Sequence, residues 1–219
     1  QFGQAIEHAS QVFAHLPNDT FARNTLARSY LEKGHFDQAI EHASQVLAQK
    51  PDKPTHHFAR NTLARAYLRK DQFDQAIEHA SQVLAQKPDD TYAKNILADA
   101  YLEKGQFDQA IEHASQVLAH LPNDTYAKNI LARSYLGKGQ FDQAIEHANQ
   151  VLAQKPNEHN DTYAKETLLH AKKHQASINH TTHAEQHTED DVKIFVPLSP
   201  YVPYHVQLDR NDLQNVLDK

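Results

Sequence analysis

The chain has 219 residues, with 22 Lys and Arg against 28 Asp and Glu, a formal charge of -6 and no cysteine. The missing cysteine excludes disulfides, zinc-thiolate sites and thiol catalysis together. Modest acidity without a Lys/Arg run argues against a nucleic-acid partner, and no apolar run is long enough to cross a bilayer as a helix.

The sequence opens on Gln1, already inside repeat sequence, and reads as a processed product or a fragment with no signal peptide in view. FGQAIEHASQVFA at Phe2 returns as FDQAIEHASQVLA at Phe36, Phe73 and Phe107, and as FDQAIEHANQVLA at Phe141. A period of 34 residues, stretched once to 37, in an Ala-rich unit is the length of a helix-turn-helix solenoid repeat. Such a unit is too small to bury its own apolar face, so neighbours must stack.

Each full unit is expected to open with a helix such as Thr91–Lys104 and close with one such as Phe107–His120. Gly105 relieves the left-handed turn between them; Gly34 and Gly139 hold the same place, and Asp71 is the exception. Proline with Asp or Asn separates the units, as at Pro122-Asn123-Asp124, where the acid can cap the next helix. Leu97, Ala98 and Tyr101 on the first helix and Ala110, Ala114 and Val117 on the second recur at helical spacing and predict the seam. Pro51–His56 and Asn157–Asp161 lengthen two inter-unit turns.

Leu97-Ala98, Tyr101, Gly105, Phe107, Ala110, Val117 and Pro122 together resemble the signature of the tetratricopeptide repeat family over residues 1 to about 174. The family's usual Trp near the unit's start is replaced by Lys94, and an aromatic seam position by Ala114. The resemblance implies an all-α, tetratricopeptide-type α-solenoid, a right-handed superhelix of helical hairpins. It also implies a non-catalytic protein-interaction role. The expected organisation is a solenoid over 1–176, comprising a half repeat, four full repeats and a terminal half repeat. A polar linker over 177–191 and an extended Pro/aromatic tail over 192–219 follow, the tail with a short terminal helix near Leu213–Leu217.

Asn24, Asn61, Asn95 and Asn129 recur at one first-helix position, which in this family lines the concave groove. An amide offers both acceptor and donors, so a row of them suits an extended peptide backbone of any sequence. One turn on, Arg28, Arg65 and Arg133, interrupted by Asp99, suit acidic groups or a terminal carboxylate. The family's carboxylate clamp, in which Lys precedes Asn, is not matched. A solvated charged face is the competing reading.

The ends suggest self-association. The chain starts with a second helix lacking its first, carrying Phe2 and Ile6, and ends its repeats with a first helix lacking its second, carrying Tyr163 and Leu168. Joined between copies, these halves rebuild a repeat, and a heterologous contact of that kind propagates head to tail into a filament. A solvating cap at Thr162–Ala176 is the alternative. In the tail, Ile194, Phe195, Leu198, Tyr201 and Tyr204 accompany Pro197, Pro200 and Pro203, whose spacing of three matches polyproline II. Such an apolar stretch is expected to dock on its own chain or a neighbour, on a leash from Gln175 to Asp191 that extends about 55 Å. A monomeric adaptor that takes a foreign extended peptide in the groove is the alternative function.

No cofactor or metal is expected. The histidines at 8, 42, 79, 113 and 147 lie about a helix diameter apart, too far to share one ion, and read as surface groups that charge below about pH 6.5. His170 and His174 are a better-spaced pair without a third ligand. His183–His187 only imitates the zinc-protease motif, with Glu185 one place late. The Asn-x-Thr sequences at Asn18, Asn123 and Asn160 double as helix caps, and Asn179 fits the acceptor pattern as well.

Overall fold

The computed structural model describes residues 2–16, 18–49, 56–154 and 158–185. Among them run ten helices: α1 (Phe2–His15), α2 (Thr20–Glu32), α3 (Phe36–Gln49), α4 (His57–Arg69), α5 (Phe73–Gln86), α6 (Thr91–Glu103), α7 (Phe107–His120), α8 (Thr125–Gly137), α9 (Phe141–Leu152) and α10 (Glu158–Glu185). No strand occurs among the described residues. The expected all-α hairpin architecture is what the chain adopts.

Caps and turns explain the repeated helix ends. Asp19, Asp90 and Asp124 each accept the backbone N–H three residues on, at 2.6, 2.9 and 2.8 Å, which satisfies one of the orphan donors of α2, α6 and α8. Helix α4 begins after His56 with no side-chain cap. At the other end Gly34, Gly105 and Gly139 take φ of 78°, 70° and 71°, and Asp71 holds the same turn at φ 57°. The next residue's N–H then reaches back to a tyrosine carbonyl: His35 to Tyr30, Gln72 to Tyr67, Gln106 to Tyr101 and Gln140 to Tyr135, at 2.8–2.9 Å. These bonds close each hairpin by the Schellman pattern.

The chain divides into two compact units, Gln1–Pro122 and Asn123–Lys219. In the first, α2 pairs with α3, α4 with α5 and α6 with α7, while α1 lies against α2 and the first helices α2, α4 and α6 neighbour one another. In the second, α9 packs on both α8 and α10, which also touch each other. The cores sit where the sequence places the seam. Ala76, Ala80 and Val83 of α5 are fully buried with Ala64, Leu68 and Leu97, and Ala144, Ala148 and Val151 of α9 with Ala132, Ala164 and Leu168. Alanine lets backbones approach, and each large side chain buried among them contributes roughly 1.5 to 3 kcal/mol. The basic residue at the replaced Trp position is buried too: Arg23 lies over the Phe13 ring at 4.7 Å, and Arg60 Nε donates to Gln82 Oε1 at 3.1 Å. Their apolar stems occupy seam space while the heads find partners.

Helix α10 differs from the sequence expectation at both ends. It starts at Glu158, inside the stretch read as a lengthened turn, so Asp161 is a helical residue paired with Lys165 at 2.7 Å rather than a cap. It continues to Glu185, through the first part of the stretch read as a linker, because Ser177–Glu185 contains neither Pro nor Gly to stop it. Residues 175–185 are therefore helical at about 1.5 Å each, and the extended leash is shorter than its residue count suggests. The Pro51–Thr55 insertion, the remainder of the linker and the whole tail, with Ile194, Phe195, Leu198, Tyr201 and Tyr204, lie outside the described residues.

Candidate protein-binding face

On the first helices of the first unit, three residues at i, i+3 and i+7 share one stripe: Phe21, Asn24 and Arg28 on α2; Phe58, Asn61 and Arg65 on α4; Tyr92, Asn95 and Asp99 on α6. The aromatic members stand in solvent. Phe21 is 82% exposed, Phe58 60% and Tyr92 46%. Three large rings exposed at one equivalent position are the kind of apolar patch that marks an interaction surface. The sequence reading passed over them because single Phe and Tyr residues near a helix start look like core. Their period was the available signal.

The asparagines are less open than the resemblance implied. Asn24 and Asn61 are half-buried, and the Oδ1 of each is buried with no hydrogen bond among the described residues. Asn61 Nδ2 donates to Asp90 Oδ2 at 3.4 Å, tying α4 to the cap of α6. With both Oδ1 atoms buried, only the amide N–H side can meet a ligand, and Asn61 already directs one of its two N–H donors to Asp90. Asn129, in the second unit, is buried and is not presented to solvent. Packing closes the position there.

The arginine row is also partly committed. Arg65 pairs with Asp99 at 3.9 Å, so the acid that interrupts the row in sequence neutralises its neighbour in space. Arg133 stacks on the Tyr163 ring at 5.0 Å, a cation–π contact within the second unit. Arg28 is exposed and makes no hydrogen bond or ion pair among the described residues. Tyr92 is the least exposed of the three rings, and partial burial pushes its phenol above its ordinary pKa, with Arg65 and Arg28 opposing and Glu32 and Asp90 adding to the shift.

Of the residues expected to join copies, Phe2 is exposed and Ile6 half-exposed on α1, beside exposed Val12 and Leu16. Tyr163 is half-buried under Arg133. Leu168 is corrected: it is buried in the second unit's own core against Ala132, Ala148 and Val151, so it offers no free surface. The apolar face of α10 is consumed by α8 and α9.

The histidine row is corrected as well. His42, His79, His113 and His147 are half-buried and form offset, near-parallel stacks with Tyr30, Tyr67, Tyr101 and Tyr135, with centroids 5.4–5.6 Å apart and planes within 4°. Each Nδ1 is buried with no hydrogen bond among the described residues. Burial holds all four below the ordinary histidine pKa, against a smaller opposing pull from the preceding glutamate. His174 stacks on Phe141 at 5.3 Å instead of converging with His170. Among the described residues no three His, Cys, Asp or Glu side chains are grouped to hold a metal ion.

Stacked helical hairpins with an exposed stripe on their first helices define a protein-interaction scaffold. Tetratricopeptide repeat models match residues 1–57 and 101–166, and a second such model matches 61–125. The chain belongs to the tetratricopeptide repeat family. Its fold is similar to that of MamA (TM-score 0.60, 24% identity, 70% of this chain and 88% of that one) and to MamA 41-end from Desulfovibrio magneticus RS-1 (0.62, 21%, 70% and 85%). It is also similar to a thermophilic TPR protein in Thermus thermophilus (0.63, 22%, 77% and 91%). Comparison with curated proteins finds no match. Among the described residues no helix is long and apolar enough to cross a membrane.

Proposed function

We propose that the chain is a non-catalytic scaffold that binds extended segments of proteins along the first-helix stripe of its first unit. The observation that carries this reading is the exposed row of Phe21, Phe58 and Tyr92 beside Asn24, Asn61 and Arg28. Aromatic rings supply contact area at low entropic cost, amide N–H groups hold peptide carbonyls, and Arg28 attracts an acid. A display of random extended peptides on the full-length protein tests it. Enriched peptides should lose affinity by about tenfold or more against a Phe21→Ala/Phe58→Ala double variant of unchanged helicity, as truncated anchors do. Enrichment that is indifferent to the two rings would sink the reading.

A second reading, head-to-tail self-assembly into a structural polymer, is favoured by one observation: Phe2 and Val12 of α1 and Leu16 just after it are exposed. An exposed apolar face of this kind is what an added copy would cover. Light scattering over a concentration series tests it, with particle mass rising for the native sequence and falling for Val12→Glu/Leu16→Glu.

A further inference from the structure

We infer that Asn18 and Asn123 are acceptors for an N-linked sugar in the folded protein, and that Asn160 and Asn179, which carry the same Asn-x-Thr sequence, are not.

The structure separates the acceptor sequence from the helix cap with which it coincides. In Asn18-Asp19-Thr20 and Asn123-Asp124-Thr125 the cap is the middle residue, since Asp19 and Asp124 accept the N–H groups of Ala22 and Ala127. Each asparagine stands one place outside the helix. Both are exposed, and neither amide makes a hydrogen bond among the described residues. The third unit shows what the turn itself requires. There Asp89-Asp90-Thr91 keeps the cap through Asp90 and Ala93, and the Asp90 N–H reaches the Lys87 carbonyl at 3.1 Å as the Asp19 N–H reaches that of Leu16 at 3.0 Å. Asp89 builds the same turn as Asn18, so neither the turn nor the cap calls for an amide. The Nδ2 of Asn18 and of Asn123 is left open to an external reagent.

Sugar transfer needs such a place. The amide must enter a transferase site together with the hydroxyl two residues on, which asks for an asparagine in an exposed turn. Asn18 and Asn123 occupy inter-hairpin turns, and the Asp after each is extended, with φ of -69° and -68° and ψ of 107° and 105°. Asn160 and Asn179 lie within α10, where the backbone is held in helical hydrogen bonds. The reaction is a substitution at the sugar: Nδ2 bonds to C1 of a sugar carried on a diphosphate, the C1–O bond breaks, the nucleoside or lipid diphosphate leaves, and the proton lost from Nδ2 passes to a base of the transferase.

Transfer of glucose from UDP-glucose to the folded full-length chain, by a soluble glucosyltransferase that accepts Asn-x-Ser/Thr, tests the inference. Peptide mapping by mass spectrometry is the readout. Asn18 and Asn123 should each gain one hexose and Asn160 and Asn179 none, while synthetic peptides of all four sequences are modified. Asp89→Asn completes the same sequence at the exposed turn of the third unit and should add a hexose at position 89. Thr20→Val should abolish the hexose on Asn18 and spare that on Asn123, with circular dichroism at 222 nm unchanged. A native chain bare at Asn18 or Asn123 beside modified peptides overturns the inference, and equal modification of Asn160 and Asn179 overturns the selection by α10. A bare position 89 in Asp89→Asn defeats the argument from the turn.

Discussion

The imidazole of His79 stacks parallel to and offset from the phenol ring of Tyr67, with centroids 5.5 Å apart and planes 3° from parallel. The pair bridges the two helices of one hairpin, and its copies in the other hairpins place a half-buried titratable group in their seams as well.

These stacks add to the acid sensitivity of the fold. Because burial lowers the folded pKa of His42, His79, His113 and His147 below the ordinary 6.5, the unfolded chain binds more protons than the folded one between those depressed values and 6.5. Their contribution to stability is therefore fully present above about pH 6.5 and is lost as pH falls below it, until the folded rings titrate. Urea midpoints at pH 8 and pH 5.5 should differ accordingly. Replacing all four histidines with Phe, which keeps the stack and removes the charge, should flatten that part of the slope.

Asp71 holds a left-handed turn that its counterparts leave to glycine. Asp71→Gly should stabilise the fold by about 0.5 to 1 kcal/mol, and Gly105→Ala should destabilise it by about 1 kcal/mol, since only glycine enters this region without strain. Thermal unfolding of the two single variants measures both signs.

Asp90 serves two helices: its Oδ1 caps α6 through Ala93 N, and its Oδ2 accepts from Asn61 of α4. Asp90→Ala should cost about 1 to 2 kcal/mol, against about 1 for loss of a cap alone. A double-mutant cycle with Asn61→Ala isolates the difference, and zero coupling would deny the second role.

Alanine at the seam is a matter of volume. Ala80 is fully buried between α5 and its neighbours, so Ala80→Leu should cost about 1 to 3 kcal/mol through overpacking. Ser81, one residue on and exposed, serves as control: Ser81→Leu should change chemical-denaturation stability by under about 0.5 kcal/mol.

Much of the fold was legible because the repeat writes each signal several times. Gly34, Gly105 and Gly139 marked hairpin corners, Asp19 and Asp124 marked helix starts, and Ala110, Ala114 and Val117 marked the seam. The end of α10 was misjudged at Ala176 because polar composition was taken for a linker. Charge and polarity do not end a helix in the absence of Pro or Gly.

The proposed face includes the asparagine and arginine positions that the repeat picks out, and adds chemistry that the repeat did not reveal. Asn24 and Arg28 pointed to the stripe, yet its most exposed members are Phe21 and Phe58, each three residues before the asparagine of its helix. Periodicity along one chain determined the helices, their pairing and their family, since those follow from local spacing and the need to bury an apolar face. Exposure is a property of packing between elements, so only the tertiary structure decided that Phe21 faces water, Leu168 and Asn129 do not, Arg65 spends its charge on Asp99, and four histidines lie against tyrosine rings.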